Sequence, residues 1–284
     1  MTESGLSQML ELARDPQEAD CRTRLRSWFV VEEAIVEYFE QVEEEGVYPD
    51  RYGKSVVASS VQYPGVFQLI SRLAKFLQLE PPPCFVHKGY AHVCESEGLH
   101  TPRLEVSARA MRNFSELELT HALAKEMYHI KVGHIREQVM AKKMLALLRT
   151  IPGLPGLSVV RQFGGSTVLD VVGFTLREAA FSWFKHSCFS AENFAVAYTD
   201  NLQASLDATL MTVLNDRGLV ESTSVPAYLE QISDIEACQG PMATLAKLNE
   251  VLPYGPYRVM NMLRFRMSAA GQELASLCAD RKAA

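Results

Sequence analysis

The stretch ALAKEMYHIKVGHI, residues 122–135, holds the residues whose types and spacing come closest to a catalytic pattern. Glu126 and His129 occupy the second and last positions of an H-E-x-x-H motif, and Lys125 occupies the position of its first histidine. In that motif two histidines one helical turn apart bind zinc, and the glutamate activates a water molecule. The stretch therefore predicts either an altered zinc site or a helix that resembles one by chance.

Lys125 argues against ordinary zinc chemistry. A catalytic zinc ion takes three protein ligands and leaves its fourth position to water. An ammonium group has three hydrogen-bond donors and no lone pair, so it cannot bind a metal ion. Without a metal, Glu126 has no water of lowered pKa to deprotonate. We therefore do not expect conventional zinc proteolysis, and we expect no cofactor.

Composition narrows the classes of function. The chain has 284 residues, 48% of them hydrophobic, and a formal net charge of −6. Nucleic-acid-binding domains usually present basic surfaces, so we expect no nucleic-acid partner. The six cysteines form no C-x-x-C pair, which argues against a secreted disulfide scaffold. No signal peptide or membrane-spanning run is recognisable, so we expect a cytoplasmic protein without a membrane span.

Hydrophobic periodicity predicts the elements that position the motif. Ser115, three residues before Glu118, predicts a capping box that opens a helix over 116–134. Short β-branched runs predict strands over 84–88, 91–96 and 103–108. Further helices are predicted over 5–14, 18–46, 63–79, 167–187, 190–215, 225–237 and 241–251 and from residue 256 on, with a loop through Pro49 and Gly53. The expected fold is α+β, predominantly helical, with a three- to four-stranded sheet packed on the motif helix.

Several segments, in this order, resemble the core of the HtpX-like gluzincin metallopeptidases. They are RLEVSA, the S-x-x-E-L segment that begins at Ser115, the motif helix, WFKHSCFSAENFAVA and PYGPYRVMNMLRF. The resemblance covers residues 64–266 and implies a zincin-like fold, in which 104–107 is the edge strand that aligns an extended peptide. It implies an N-terminal helical extension over 1–62, a metallopeptidase-like domain over 63–266 and a C-terminal helical tail over 267–284.

The same resemblance implies which residues stand at the former metal site. In the preferred register Cys188 replaces the family's third zinc ligand, a glutamate, and Glu192 replaces a supporting aspartate. A competing register places Val196 at the ligand and Asp200 at the aspartate. Neither register keeps the glutamate. In the preferred register, Glu126 and Glu192 are expected to neutralise the charge that Lys125 brings in place of zinc.

Three functional interpretations follow. The leading one is a non-proteolytic, zinc-free pseudopeptidase that binds a peptide, a protein or a small molecule at Lys125, His129, Cys188 and Glu192. The alternative is a metal-independent enzyme for acyl transfer or hydrolysis, with Cys188 as nucleophile, His129 as base and Glu126 assisting. The third is a metalloprotein that uses His129, Cys188 and one unforeseen ligand.

The remaining candidates have ordinary structural interpretations. A buried free cysteine commonly behaves as a small hydrophobic residue, and this is the default for Cys188. His134 is expected to be structural. Surface or loop positions are expected for the other histidines, which are His87, His92, His100, His121 and His186.

Overall fold

The computed structural model describes residues 3–29, 37, 44–150, 168–240, 243, 246 and 253–283. It confirms the α+β class, because helices predominate and are combined with one small mixed sheet of four strands. Within the described residues, no helix has both the length and the apolar character needed to cross a membrane.

The sheet has the strand order β1-β2-β4-β3. Its strands are β1 (Ser55–Val57), β2 (Cys84–His87), β3 (Cys94–Glu97) and β4 (Arg103–Ser107). β2 pairs with β4 in parallel, and the other two pairings are antiparallel. The prediction that 104–107 forms the edge strand is therefore wrong. β4 lies between two partners and all five of its residues are buried, so the edge beside the motif helix is β3.

The helices surround the sheet on the sequence side as follows, with bounds taken from the structure. They are α1 (Glu3–Ala13), α2 (Glu18–Arg26), α3 (Glu44–Lys54), α4 (Pro64–Leu77), α5 (Ala108–Asn113), α6 (Glu116–Lys131), α7 (His134–Thr150), α8 (Val168–Thr199), α9 (Leu202–Leu214), α10 (Arg217–Glu221), α11 (Val225–Ala237), α12 (Gly255–Met267) and α13 (Ala269–Ala283).

The first helical correction concerns the predicted helix 18–46 and the loop after it. α2 ends at Arg26, most of the residues up to 43 lie outside the described part, and α3 runs through the expected loop at Pro49. The rings of Tyr48 and Tyr52 lie 6.2 Å and 5.4 Å from the ring of Phe85 on β2. Aromatic packing against the sheet therefore stabilises this helix where local propensity favours a loop.

The second correction concerns α8, which continues through the break predicted between residues 187 and 190. The hydroxyl groups of Ser187 and Ser190 donate to the helix's own carbonyls at Phe184 and His186, so both serines are accommodated inside the helix. α8 ends at Thr199, and Asn201 caps α9 by accepting from the amide of Ala204. The predicted helix 241–251 lies almost entirely outside the described residues.

The hydrophobic core is organised around α6 and α8, which pack against each other. Leu123 and Met127 on α6 and Phe194 on α8 are fully buried in it. Met9 of α1 and Leu274 of α13 belong to the same buried cluster. The segments predicted as N- and C-terminal appendages thus contribute to the core, while the domain boundaries themselves stay a prediction.

Candidate functional site

The helix that carries the motif, α6, begins with the predicted capping box. The Ser115 hydroxyl accepts from the amide of Glu118, and the Glu118 carboxylate accepts from the amide of Ser115. At the other end Gly133, with φ at +73°, lets the chain turn sharply into α7. This turn brings His134, the first residue of α7, back beside His129.

A cavity of about 440 Å³ lies where α6, α8, α12 and the edge strand β3 meet. Lys125, Glu126, His129 and Cys188 all line it, as does Arg258. The structure therefore brings together four of the five residues predicted for the former metal site. Glu192 is the exception.

Lys125 and Glu126 form a buried ion pair inside this cavity. Nζ of Lys125 lies 3.1 Å from Oε1 of Glu126, and the two side chains are 13% and 7% exposed. Burial alone would lower the pKa of Lys125, but the charges of Glu126 and Glu192 raise it above its ordinary value. Burial would raise the pKa of Glu126, but Lys125 and the hydrogen bond from Ser96 lower it. Both groups therefore stay charged at neutral pH.

The second oxygen of Glu126 is bound to the edge strand. Oε2 accepts from the backbone amide of Ser96 at 2.9 Å and from its hydroxyl at 2.8 Å. In the antiparallel register Glu95 and Glu97 face β4 partners with which they exchange hydrogen bonds, so the backbone groups of Cys94 and Ser96 point away from the sheet. Glu126 thus occupies one of the outward donors that an added peptide strand would use.

A chain of buried hydrogen bonds holds His129. Its Nδ1 lies 2.9 Å from Nδ1 of His134, and Nε2 of His134 lies 2.9 Å from Oε1 of Glu18 on α2. The other oxygen of Glu18 accepts from the Ser190 hydroxyl of α8. Glu18 was not among the residues predicted from the sequence. Its polar, acidic surroundings give no local signal, because its partners are 116 and 172 residues away.

This chain of bonds determines which nitrogen of His129 faces the cavity as a base. Burial would raise the pKa of Glu18, but the bonds from His134 and Ser190 lower it, so Glu18 is an acceptor. A neutral His134 then donates through Nε2 and accepts through Nδ1, so His129 must donate through Nδ1. Burial lowers the pKa of His129 to about 3. Its lone pair is therefore on Nε2, the nitrogen outside this chain of bonds.

Cys188 lines the cavity but has the character of a buried thiol. It is 2% exposed. Burial and the nearby charge of Glu192 raise the pKa of Cys188 to about 12, against the opposing effect of Arg258 and Lys125. A thiol with this pKa is almost entirely protonated at neutral pH and is a poor nucleophile. Val196, the ligand position of the competing register, is buried and does not line the cavity.

The expectation that Glu192 directly neutralises Lys125 needs a correction. Oε1 of Glu192 accepts from Nε of Arg258 at 2.6 Å, and the two side chains are 0% and 5% exposed. Nη1 of Arg258 also donates to the hydroxyl of Thr212 at 3.2 Å. The guanidinium geometry suits a carboxylate better than an ammonium does, so Glu192 acts on Lys125 only through its charge.

Three histidines expected at the surface are buried. His121 is 2% exposed, His92 is 3% exposed and lines the cavity, and His186 is 8% exposed and bonds to Asp15. Burial, with the charges of Lys125 and Arg258, lowers the pKa of His121 to about 3. Helical periodicity does not reveal such positions, because a histidine on an apolar face reads as an interruption of the pattern.

Zinc does not fit this donor set. The described residues contain no group of three or more histidine, cysteine or acidic side chains arranged to hold a metal ion. His129 presents one nitrogen to the cavity, Cys188 keeps its proton, and Glu126 is engaged by Lys125 and Ser96. A cation placed here would also lie against the ammonium of Lys125.

A larger groove of about 900 Å³ lies elsewhere, along α11 and the start of α12. The described residues that line it include no histidine and no charged side chain. The smaller cavity is therefore the better candidate for a functional site, because it combines apolar walls with convergent polar and charged groups.

Comparisons with known proteins add no assignment: no family model matches the chain, and no curated protein or solved structure is significantly similar to it. The relationship to the HtpX-like metallopeptidases stays a prediction from sequence motifs.

The Lys125–Glu126 pair generates the first testable prediction. Lys125→Met leaves a buried carboxylate without its cation, so we expect a loss of about 3–5 kcal/mol in unfolding free energy. Glu126→Gln should also be destabilising, and the double variant should cost at least about 1 kcal/mol less than the sum of the two. Urea unfolding of the four proteins measures this coupling. Additive effects would contradict a structural ion pair.

The buried neutral histidines predict how stability depends on pH. The folded pKa values of His121 and His129 lie below the ordinary value, so the unfolded chain binds more protons below pH ~6.5 and stability falls as pH falls. Each histidine should remove about 2 kcal/mol between pH 6.5 and pH 5. His121→Leu should reduce the slope measured by urea unfolding at several pH values, whereas His100→Leu at an exposed position should not. An unchanged slope in His121→Leu would argue against a neutral buried His121.

The state of Cys188 can be measured by alkylation. Because burial keeps the thiol protonated, we expect Cys188 to react with iodoacetamide at pH 7.5 far more slowly than the exposed Cys238. Peptide mass spectrometry after timed quenching gives both rates in one sample. Rapid modification of Cys188 in the folded protein would contradict the buried-thiol assignment.

Proposed function

We propose that this protein is a non-proteolytic relative of the HtpX-like metallopeptidases whose former zinc cavity binds a small-molecule ligand without a metal ion. The bonding of Glu126 carries the proposal. One carboxylate oxygen pairs with Lys125 and the other accepts two hydrogen bonds from Ser96. A general base needs a pKa near the working pH and access to the proton it removes. Glu126 has a lowered pKa and both of its oxygens are engaged.

The same bonding favours a small molecule over a peptide. A peptide that extended the sheet along β3 would need the outward backbone groups of Cys94 and Ser96, and Glu126 already binds the Ser96 amide. The cavity volume of about 440 Å³ is in the range of small-molecule sites. Its walls combine the apolar side chains of Val93, Phe114 and Phe184 with the charged groups of α6 and α12.

Two further parts of the proposal concern the setting of the protein. We propose a cytoplasmic location, supported by six cysteines that are all unpaired, which is typical of reducing compartments. We also propose that nucleic acid is not a partner, because the net charge is −6.

A metal-independent enzyme is the second candidate, favoured by one observation. His129 is neutral and holds its Nε2 lone pair outside the hydrogen-bond chain with His134 and Glu18. This is how a general base is oriented in hydrolytic triads. The candidate needs a reactive Cys188, so the alkylation rate decides between it and the ligand-binding proposal.

Metal content and ligand screening test the proposal together. We expect less than stoichiometric zinc in the purified protein, and no peptide cleavage after zinc is added. Fluorine NMR screening of neutral, cationic and anionic fragments should find binders to the wild-type protein. Ala91→Trp places an indole at the exposed rim of the cavity and should abolish this binding.

The matched control is Tyr90→Trp, an aromatic substitution at a neighbouring residue that is 90% exposed and does not line the cavity. It should leave fragment binding unchanged. Stoichiometric zinc, zinc-dependent cleavage that Glu126→Gln abolishes, or a screen with no binder sensitive to Ala91→Trp would each overturn the proposal.

A further inference from the structure

Two cationic side chains at the cavity have hydrogen-bond donors that the protein does not use. Lys125 pairs with one oxygen of Glu126, which leaves other protons of its ammonium group. Arg258 donates through Nε to Glu192 and through Nη1 to Thr212, and its Nη2 makes no hydrogen bond to the described residues. Both side chains are largely buried, at 13% and 5% exposure.

Two buried polar groups beside these cations also have atoms without a partner. Neither ring nitrogen of His121 makes a hydrogen bond within the described residues, and the same is true of Oε2 of Glu192. His121 precedes Lys125 by one helical turn, and it is close enough to Lys125 and Arg258 to be influenced by both charges. Buried polar groups are normally hydrogen-bonded, so such a cluster is unusual in a purely structural core.

We infer that the cavity binds a small organic carboxylate, whose two oxygens accept from Nζ of Lys125 and Nη2 of Arg258. The inference rests on the proposed function and specifies its ligand class. Two spare donors on neighbouring cations match the two oxygens of a carboxylate. The apolar walls formed by Val93, Phe114 and Phe184 suit an aromatic or branched hydrocarbon attached to it.

The charges around the cavity favour a carboxylate over a phosphate. Glu126 and Glu192 already neutralise Lys125 and Arg258, and both carboxylates are fully or nearly fully buried. A phosphate dianion would add two negative charges beside these carboxylates in a poorly solvated site, where uncompensated charge is costly. A monoanion adds one, and the exposed Lys142 at the rim contributes a further positive charge.

Pairs of acids and their amides test this inference, because each pair has the same shape and differs in charge. The probes are para-fluorobenzoate with para-fluorobenzamide and trifluorobutanoate with trifluorobutanamide, followed by fluorine NMR titration. At least one acid should bind the wild-type protein about tenfold more tightly than its amide. Excess inorganic phosphate should not displace it, and Ala91→Trp should abolish its binding.

The variants separate the ammonium of Lys125 from the fold. Lys125→Met/Glu126→Gln removes the ion pair without leaving one buried charge, and far-ultraviolet circular dichroism verifies its folding. It should bind the acid about tenfold more weakly and lose the preference over the amide. Glu126→Gln alone and Lys142→Met, a matched change at the rim, should both retain the preference.

Equal binding of acid and amide, displacement by phosphate, or full acid affinity in the folded double variant would overturn the inference. If neither acid binds while other fragments bind in a manner sensitive to Ala91→Trp, the carboxylate inference fails and the proposed function stands. If no fragment of any charge binds in that manner, both fail.

Discussion

The buried pair of Lys125 and Glu126 is the interaction on which the site depends. Both charges are almost removed from water, so each is tolerable only beside the other. Through Ser96 the pair also fastens the edge strand β3 to α6, and through its charge it influences His121, Cys188 and Arg258. In a zinc site the metal fixes the relative positions of such elements. Here an ion pair with two accessory hydrogen bonds has the corresponding position, and it supplies positive charge without Lewis acidity.

A second constraint reaches the cavity from the N-terminal helices. Glu18 on α2 determines the orientation of His134, and His134 determines that of His129. The serine that completes this chain of bonds, Ser190, lies on α8 and also accepts from the amide of Asp15. The segment 1–62 was predicted as an extension of the core, yet one of its carboxylates controls the protonation pattern at the centre of the cavity. A polar residue of an apparent appendage can thus belong to the site.

The sequence predicted those parts of the structure that depend on local pattern. The capping box at Ser115, the amphipathic helix over 63–79 and the strands near 84–88 and 103–108 all follow from residues close in the chain. The meeting of Lys125, His129 and Cys188 at one cavity was predicted from motif order. The errors arose where distant contacts decide. Phe85 stabilises the helix at Pro49, and the parallel pairing of β2 with β4 makes β3 the edge. The burial of His121 depends on the packing of α6 against α8 and α12, which local periodicity does not specify.

The loss of water activation and the closing of the peptide-binding edge have one physical cause. An unpaired Glu126 would leave its carboxylate available to a water molecule, and the Ser96 amide available to a peptide backbone. With Lys125 in the preceding position, the carboxylate is held ionised and both of its oxygens are directed at protein groups. One substitution at a ligand position is therefore sufficient to remove the metal, the base and one peptide contact together. What it leaves is a cavity with spare cationic donors and apolar walls, a combination suited to holding a ligand and poorly suited to cleaving one.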